Sequence, residues 1–180
     1  MNEASIREYG DGHATYEDVP GIGLKLEGKY MTFKLANEEY GLEILKVREI
    51  IGLMEITRVP RTEEFIRGVI NLRGKVIPVV DLRLKFGMPK TESTDQTVII
   101  VVQYSLRETD FTMGILVDEV LEVISISAEQ IEPPPSFGST VDTEFILGIG
   151  KAEKRVIFLL DIGRVLTTDD ARTISSSVDA

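Results

Sequence analysis

From Lys29 onward the chain carries a clear hydrophobic rhythm. Met31, Phe33 and Leu35 alternate with polar residues, and after Asn37-Glu38-Glu39 the same period of two resumes at Tyr40, Leu42 and Ile44. Such alternation buries one face of a strand, and the polar break between the runs predicts a β-hairpin. Beyond Ile44 the apolar spacing changes to Val47, Ile50 and Ile51, which fits a short helix or a bulged strand equally. Two β-branched runs then flank Asn71–Gly74, whose Asn and Gly favour a tight turn, so a second hairpin is expected across 65–81. Pro78 has no amide proton to give to a ladder, which predicts an edge strand or a bulge there. Asp81 has the position of a helix cap, ahead of Leu82, Leu84 and Phe86 in a short helix or turn that Gly87 closes. Residues 88–97 form a polar connector.

The second half is again rich in strand signals. Val98–Val102 is followed by a polar turn at Ser105–Asp110, then by Phe111, Met113, Ile115 and Val117 at period two. Pro133-Pro134-Pro135 predicts a stiff exposed loop, and Val156–Leu160 is the last strong strand. The two halves are also related to each other. A shift of 80 superimposes Phe65, Ile66, Gly68, Val76, Ile77 and Asp81 on Phe145, Ile146, Gly148, Val156, Ile157 and Asp161. A shift of 73 superimposes Gly41, Val47, Glu49, Ile51 and Pro60 on Gly114, Val120, Glu122, Ile124 and Pro133. An internal repeat of this kind implies two similar small β units. Each alone is too small for a comfortable core, so a shared interface between them is expected. By the repeat, the apolar stripe Val47, Ile50, Ile51 faces Val120, Val123, Ile124.

Charge and composition narrow the chemistry. The 180 residues carry a formal net charge of -10, with no Cys and one His. Disulfides, thiolate metal sites and Cys nucleophiles are therefore excluded. The single His13 lies in a polar stretch, which argues against triads and His-ligated zinc. Much of the acidity sits at the ends. Residues 1–28 hold six carboxylates against two cations, and residues 167–180 hold three against one. Both ends lack hydrophobic periodicity and are expected to be flexible, leaving a folded part at 29–166 in two lobes, about 29–88 and 98–166, with strand exchange between them allowed. Acidity opposes general binding to nucleic acid or anionic lipid. The chain has no apolar signal segment and no apolar run near the ~20 residues a membrane span requires, so a cytoplasmic location is expected.

No catalytic unit emerges. The adjacent carboxylates Glu38/Glu39, Glu63/Glu64 and Asp118/Glu119 point to opposite faces if they lie in strands, and solvated turns explain them better than an acid–base pair. Asp81 and Asp161 stand at equivalent repeat positions and are expected to be equivalent caps. Phosphate-binding glycine loops are missing. Arg73, in the predicted turn, can pair bidentately with a carboxylate, in a partner or at Glu49.

The strings Tyr40-Gly41-Leu42-Glu43-Ile44-Leu45-Lys46-Val47-Arg48-Glu49-Ile50-Ile51, Phe65–Gly74 and Val76–Arg83 together resemble the CheW family of bacterial chemotaxis coupling proteins, as do Ala128–Ile131 and Thr143–Gly148. The resemblance covers roughly residues 29–166. It implies an all-β fold of two five-stranded, SH3-like β-barrel lobes packed around a hydrophobic interface, with short helices or turns. It also implies a non-enzymatic adaptor without cofactor or metal, joining the cytoplasmic tips of methyl-accepting chemotaxis receptors to the regulatory domain of the histidine kinase CheA. By the resemblance, Val47, Arg73, Val98, Val120 and Val123 fall in or beside the receptor-binding groove. Glu49, Ile50 and Gly68 fall at the kinase contact, and Phe137 falls near a second contact that closes kinase–adaptor rings. Glu132 departs from the family, which often has a basic residue near there. Three rival readings remain: a regulatory module of a larger kinase or fusion protein, a carboxylate-dependent hydrolase on a small β scaffold, and a nucleic-acid binder.

Overall fold

The computed structural model describes residues 21–106, 108–134 and 144–165. The first predicted hairpin is present as β1 (Gly28–Leu35) and β2 (Glu38–Glu43). Ile44 does not continue β2; it starts a single 3-10 turn, Ile44–Lys46, and the chain then extends into β3 (Val47–Gly52). The ambiguity at Val47 is thus resolved as a bulged strand, with the register shift between Val47 and Glu49. The second hairpin is β4 (Ile66–Leu72) and β5 (Lys75–Asp81), followed by the short helix α2 (Leu82–Lys85). The Asp81 side chain accepts a hydrogen bond from the Leu84 amide, which satisfies one of the donors a helix start leaves open. Then come β6 (Val98–Leu106), β7 (Thr109–Val117), β8 (Glu119–Ile126), a 3-10 turn at Ala128–Gln130, β9 (Ile131–Glu132), β10 (Ile146–Ala152), β11 (Arg155–Leu160) and a last turn at Ile162–Arg164.

The strands form two sheets, in the orders β8-β1-β2-β11-β10-β9 and β3-β6-β7-β5-β4. The two-residue β9 makes the first sheet six-stranded. Neither sheet follows one half of the sequence: β1 and β2 lie beside β11, while β6 and β7 lie beside β5. The exchange is made by two parallel contacts at equivalent places, Leu159 opposite Gly41 and Val79 opposite Gly114. Both glycines leave room for this close approach, most strictly Gly114. A Cβ on Gly41 would stand 3.2 Å from Ile157, and one on Gly114 would stand 2.6 Å from Ile99.

Alternation sorts the apolar side chains into three clusters. The largest draws on both sheets, with Phe33, Leu42 and Leu160 from one and Ile100, Ile115 and Val80 from the other. Ile70, Ile77, Val79, Ile99 and Val101 pack inside the five-stranded sheet, and Tyr30, Ile126, Ile157 and Leu159 inside the six-stranded one. Two small cores thus share a larger third, the expected remedy for units that bury little surface alone.

Two expectations need correction. Pro78 is in β5, which has neighbours on both sides, and the bulge in its ladder falls between Ile66 and Gly68 opposite. The parallel ladder to β7 starts only at Val79, so proline precedes the point where a second set of amide bonds begins. At the other end, the stretch read as aperiodic up to residue 28 includes a helical turn, α1 (Ile22–Leu26), whose Leu26 packs against the core inside the six-stranded sheet. One turn of helix is too short for periodicity to reveal it.

Candidate functional site

The turn between β4 and β5 is built from two residues of positive φ, Arg73 at 52° and Gly74 at 87°. That geometry matches the right-handed twist of a hairpin, and Asn71 Oδ1 secures it by accepting from the Gly74 amide at 2.8 Å. The turn holds Arg73 outward, 70% exposed, where its guanidinium meets Glu49 on β3. The contact is bidentate: Nη1 donates to Oε2 at 3.3 Å and Nη2 to Oε1. The hydrogen bonds to Glu49 hold the Arg73 guanidinium above its usual range. Because β3 and β4 end the same sheet, this pair and the Thr57–Val69 bridge bring its two margins toward each other.

The repeat has a counterpart with different wiring. Glu122 on β8 stands where Glu49 stands, and Glu153 replaces Arg73 in the equivalent turn, again with positive φ. The cation is displaced two residues, to Arg155, which donates to Glu122 at 2.5 Å and grips Glu39 through Nε and Nη2 at 2.9 and 2.8 Å. Hydrogen bonds to Glu39 and then Glu122 raise the Arg155 pKa. Sequence reasoning missed this cluster; the charge reversal at Glu153 was its only signal. The same contacts account for Glu39, and Asp118 is held by Arg83 at 2.5 Å, so these adjacent carboxylates serve as ion-pair partners.

Bulges also arrange the apolar residues. Val47 pairs with Val102 and Ile50 with Ile100, both in the shared core, so the bulge puts Val47 and Ile50 on one face despite their odd spacing. Ile51 turns to the core inside its own sheet. In β8 the pattern repeats: Val120 pairs with Phe33 and Val123 with Met31, both on the shared-core face, while Ile124 turns to the other core. The predicted stripes are therefore split, two residues to one face and one to the other. Val98 also packs against the shared core but pairs with Gly52, at the far end of the β3–β6 ladder from Val47. Val47, Val98 and Val120 are partly buried, whereas Ile50 and Val123 are 42% and 50% exposed. These equivalent residues on the edge strands β3 and β8 leave two matching apolar points at the margin of the shared core.

Gly68 is buried with φ at 142°, and a Cβ there would stand 2.1 Å from the Thr57 carbonyl oxygen. Its lack of a side chain is a condition of the Thr57–Val69 bridge. Phe137 lies outside the described residues. Glu132, the departure from the family pattern, accepts from Lys151 Nζ at 2.5 Å on the surface. No helix among the described residues is long and apolar enough to cross a membrane.

Comparison with known proteins matches residues 29–170 to the CheW-like domain. The chain is 40% identical over 165 residues to the chemotaxis protein CheW of Klebsiella aerogenes, covering 92% of this chain and 96% of that one. Against the CheW of Bacillus subtilis it is 36% identical over 151 residues, covering 83% and 94%. In structure it is similar to the scaffolding protein TtCheW from Thermoanaerobacter tengcongensis, with a TM-score of 0.71 and 39% identity over 81% of this chain and 96% of that one.

Proposed function

The chain belongs to the CheW family, and from that premise we propose that it is a non-enzymatic adaptor coupling methyl-accepting chemotaxis receptors to the histidine kinase CheA in the cytoplasm. The observation that carries this reading is the paired apolar margin. Val47 and Ile50 on β3 and Val120 and Val123 on β8 occupy one face at the edge of the core that both sheets share. A receptor tip is a helical hairpin, and an amphipathic helix laid in a groove needs apolar anchors of this kind with a charged group to fix register. Val47, Val98, Val120 and Val123 are the anchors, and Arg73 supplies the charge by exchanging Glu49 for a receptor carboxylate. Glu49, Ile50 and the backbone at Gly68 lie on the side assigned to the kinase's regulatory domain, with Phe137 at a second contact. Since Glu49 joins both sets, the receptor and kinase surfaces adjoin at the Arg73–Glu49 pair. Coupling then follows as a free energy shared by two binding events.

The test is a titration of the full chain with a CheA regulatory domain and a receptor signalling fragment, each alone and together. Binding to both, with the affinity for one altered by the other, is the expected result. Binding to neither overturns the reading.

A further inference from the structure

Among the described residues the buried polar or charged side chains are Thr32 and Asp81. Asp81 caps α2, whereas Thr32 is wholly buried in the middle of β1. Its hydroxyl is committed to a single residue. Thr32 Oγ1 donates to the Glu122 carbonyl oxygen at 2.8 Å and accepts from the Glu122 amide at 3.2 Å. One side chain thus satisfies both main-chain polar groups of Glu122, and the buried hydroxyl gains the partners without which its burial would be costly.

The contact falls in the bulge of β8. Phe33 pairs with Val120 and Met31 with Val123, so Leu121 and Glu122 stand opposite Thr32 alone. The extra residue interrupts the regular ladder, and the hydroxyl fills the interruption. This bulge turns Val123 to the same face as Val120. Side chains alternate along a strand, so a bulge displaced by one residue would change which of Glu122 and Val123 takes that face. The side chain of Glu122 is held as well, by Arg155 Nη1 at 2.5 Å. Val123, half-exposed, therefore follows a residue fastened at both its main chain and its side chain.

The internal repeat supplies the comparison. Thr32 pairs with Gly41 and Val101 with Gly114, the glycines of the two parallel contacts, so Val101 occupies the place of Thr32. Across from Val101 lies Glu49 in the bulge of β3, with Ile50 next to it. Valine has no hydroxyl to offer that bulge, and the Glu49 side chain is held by Arg73, which is 70% exposed. The same element is fastened from the interior in β8 and from the surface in β3.

We propose that Thr32 is a positioning residue for the partner surface on β8: its hydroxyl fixes the bulge that presents Val123 as a preformed apolar anchor. On the reading that Val120 and Val123 face the receptor, on which this rests, the hydroxyl keeps the anchor in place before docking. An anchor already in place has little freedom left to lose on binding. If the bulge wanders, only the molecules with Val123 on the groove side bind, and the apparent affinity falls by that fraction. The kinase side at Ile50, where Val101 stands, does not depend on the hydroxyl.

The test compares Thr32→Val and Thr32→Ser in the full chain. Valine matches threonine in shape, and Val101 shows that it fits this place beside a bulge; serine keeps the hydroxyl. Hydrogen exchange of the Glu122 amide reads the bulge, with the amide of the core residue Ile115 as a fold reporter. Thr32→Val is expected to speed Glu122 exchange and to weaken binding of a receptor signalling fragment, each about tenfold. Ile115 exchange and affinity for the CheA regulatory domain are expected to stay native, and Thr32→Ser is expected to keep all four properties. Native receptor affinity in Thr32→Val overturns the proposal. So does a parallel loss of both partners with faster exchange at Ile115, which would reduce Thr32 to a packing residue. A native chain that binds neither partner overturns the receptor assignment beneath the proposal, and a Glu122 exchange difference that persists there separates that failure from failure of the hydroxyl contact.

Discussion

Arg73 and Glu49 hold each other bidentately across the margins of the five-stranded sheet, one from a hairpin turn and the other from the edge strand β3. The pair is exposed, 70% and 31% for the two side chains, so it contributes little to stability and remains free to change partners. Arg73→Glu is expected to weaken receptor-fragment binding about tenfold or more while leaving the melting temperature and kinase-domain affinity close to native. The charge swap Glu49→Arg with Arg73→Glu restores the internal pair but not receptor binding. Isothermal titration of the three proteins checks this, and full receptor affinity in Arg73→Glu removes Arg73 from the groove.

Ile50 and Val123 are equivalent in the repeat and half-exposed, yet they are assigned to different partners. Ile50→Asp is expected to reduce kinase-domain binding and Val123→Asp receptor binding, each about tenfold or more. Neither substitution should cost more than ~1 kcal/mol in a denaturant titration, because both side chains are already about half in water. If both variants lose the same partner, the division of the margin into two surfaces fails.

Gly68 makes the opposite prediction. Its positive φ and the Thr57 carbonyl at 2.1 Å mean that Gly68→Ala must move backbone, with an expected cost of roughly 2–4 kcal/mol. Gly74 also has positive φ but has nothing within 4 Å of a Cβ, so Gly74→Ala should cost only ~1 kcal/mol. Urea midpoints of the two variants separate the effects. A Gly68→Ala chain of native stability that no longer binds the kinase domain would show a direct contact there instead.

The caps are predicted to matter about equally. Asp81 accepts from the Leu84 amide at 3.3 Å and Asp161 from the Gly163 amide at 3.0 Å. Asp81→Ala and Asp161→Ala should each destabilise the fold by ~1–2 kcal/mol, with the larger loss at Asp81, whose ion pair to Arg67 is more buried than that of Asp161 to Arg164. Thermal melts of the single variants suffice as a check.

Burial, reinforced by Glu43 beside Tyr30 and by Glu38 beside Tyr40, pushes both phenols up to about 12. A folded pKa above the unfolded value means that the native state keeps its proton while the unfolded chain loses it. Stability from these groups is therefore complete below pH 10 and is lost as pH rises from 10 toward 12. Tyrosinate absorbance should show these two, together with Tyr104, which burial also raises, ionising late among the five tyrosines, and Tyr40→Phe should flatten the alkaline loss of stability. Ionisation of both at pH 10 in the folded chain would contradict the burial argument.

The hairpins at 28–43 and 66–81, the Arg73–Gly74 turn, the Asp81 and Asp161 caps and the pairing of the two halves were all readable from the residues, because period-two alternation and turn chemistry are local properties. The possibility that Arg73 meets Glu49 was readable too, from charge and fork geometry. Three features needed the tertiary structure. The repeat announced two units but not that each sheet borrows β-strands from the other half, since parallel pairing at Gly41 and Gly114 joins residues far apart in sequence. The stripes Val47–Ile51 and Val120–Ile124 looked like single faces, yet a bulge in each strand splits them, and a bulge is decided by cross-strand register. Finally, Arg155 could not be tied to Glu39 and Glu122 from spacing, because an ion pair across sheet neighbours depends on how the strands are ordered and curved.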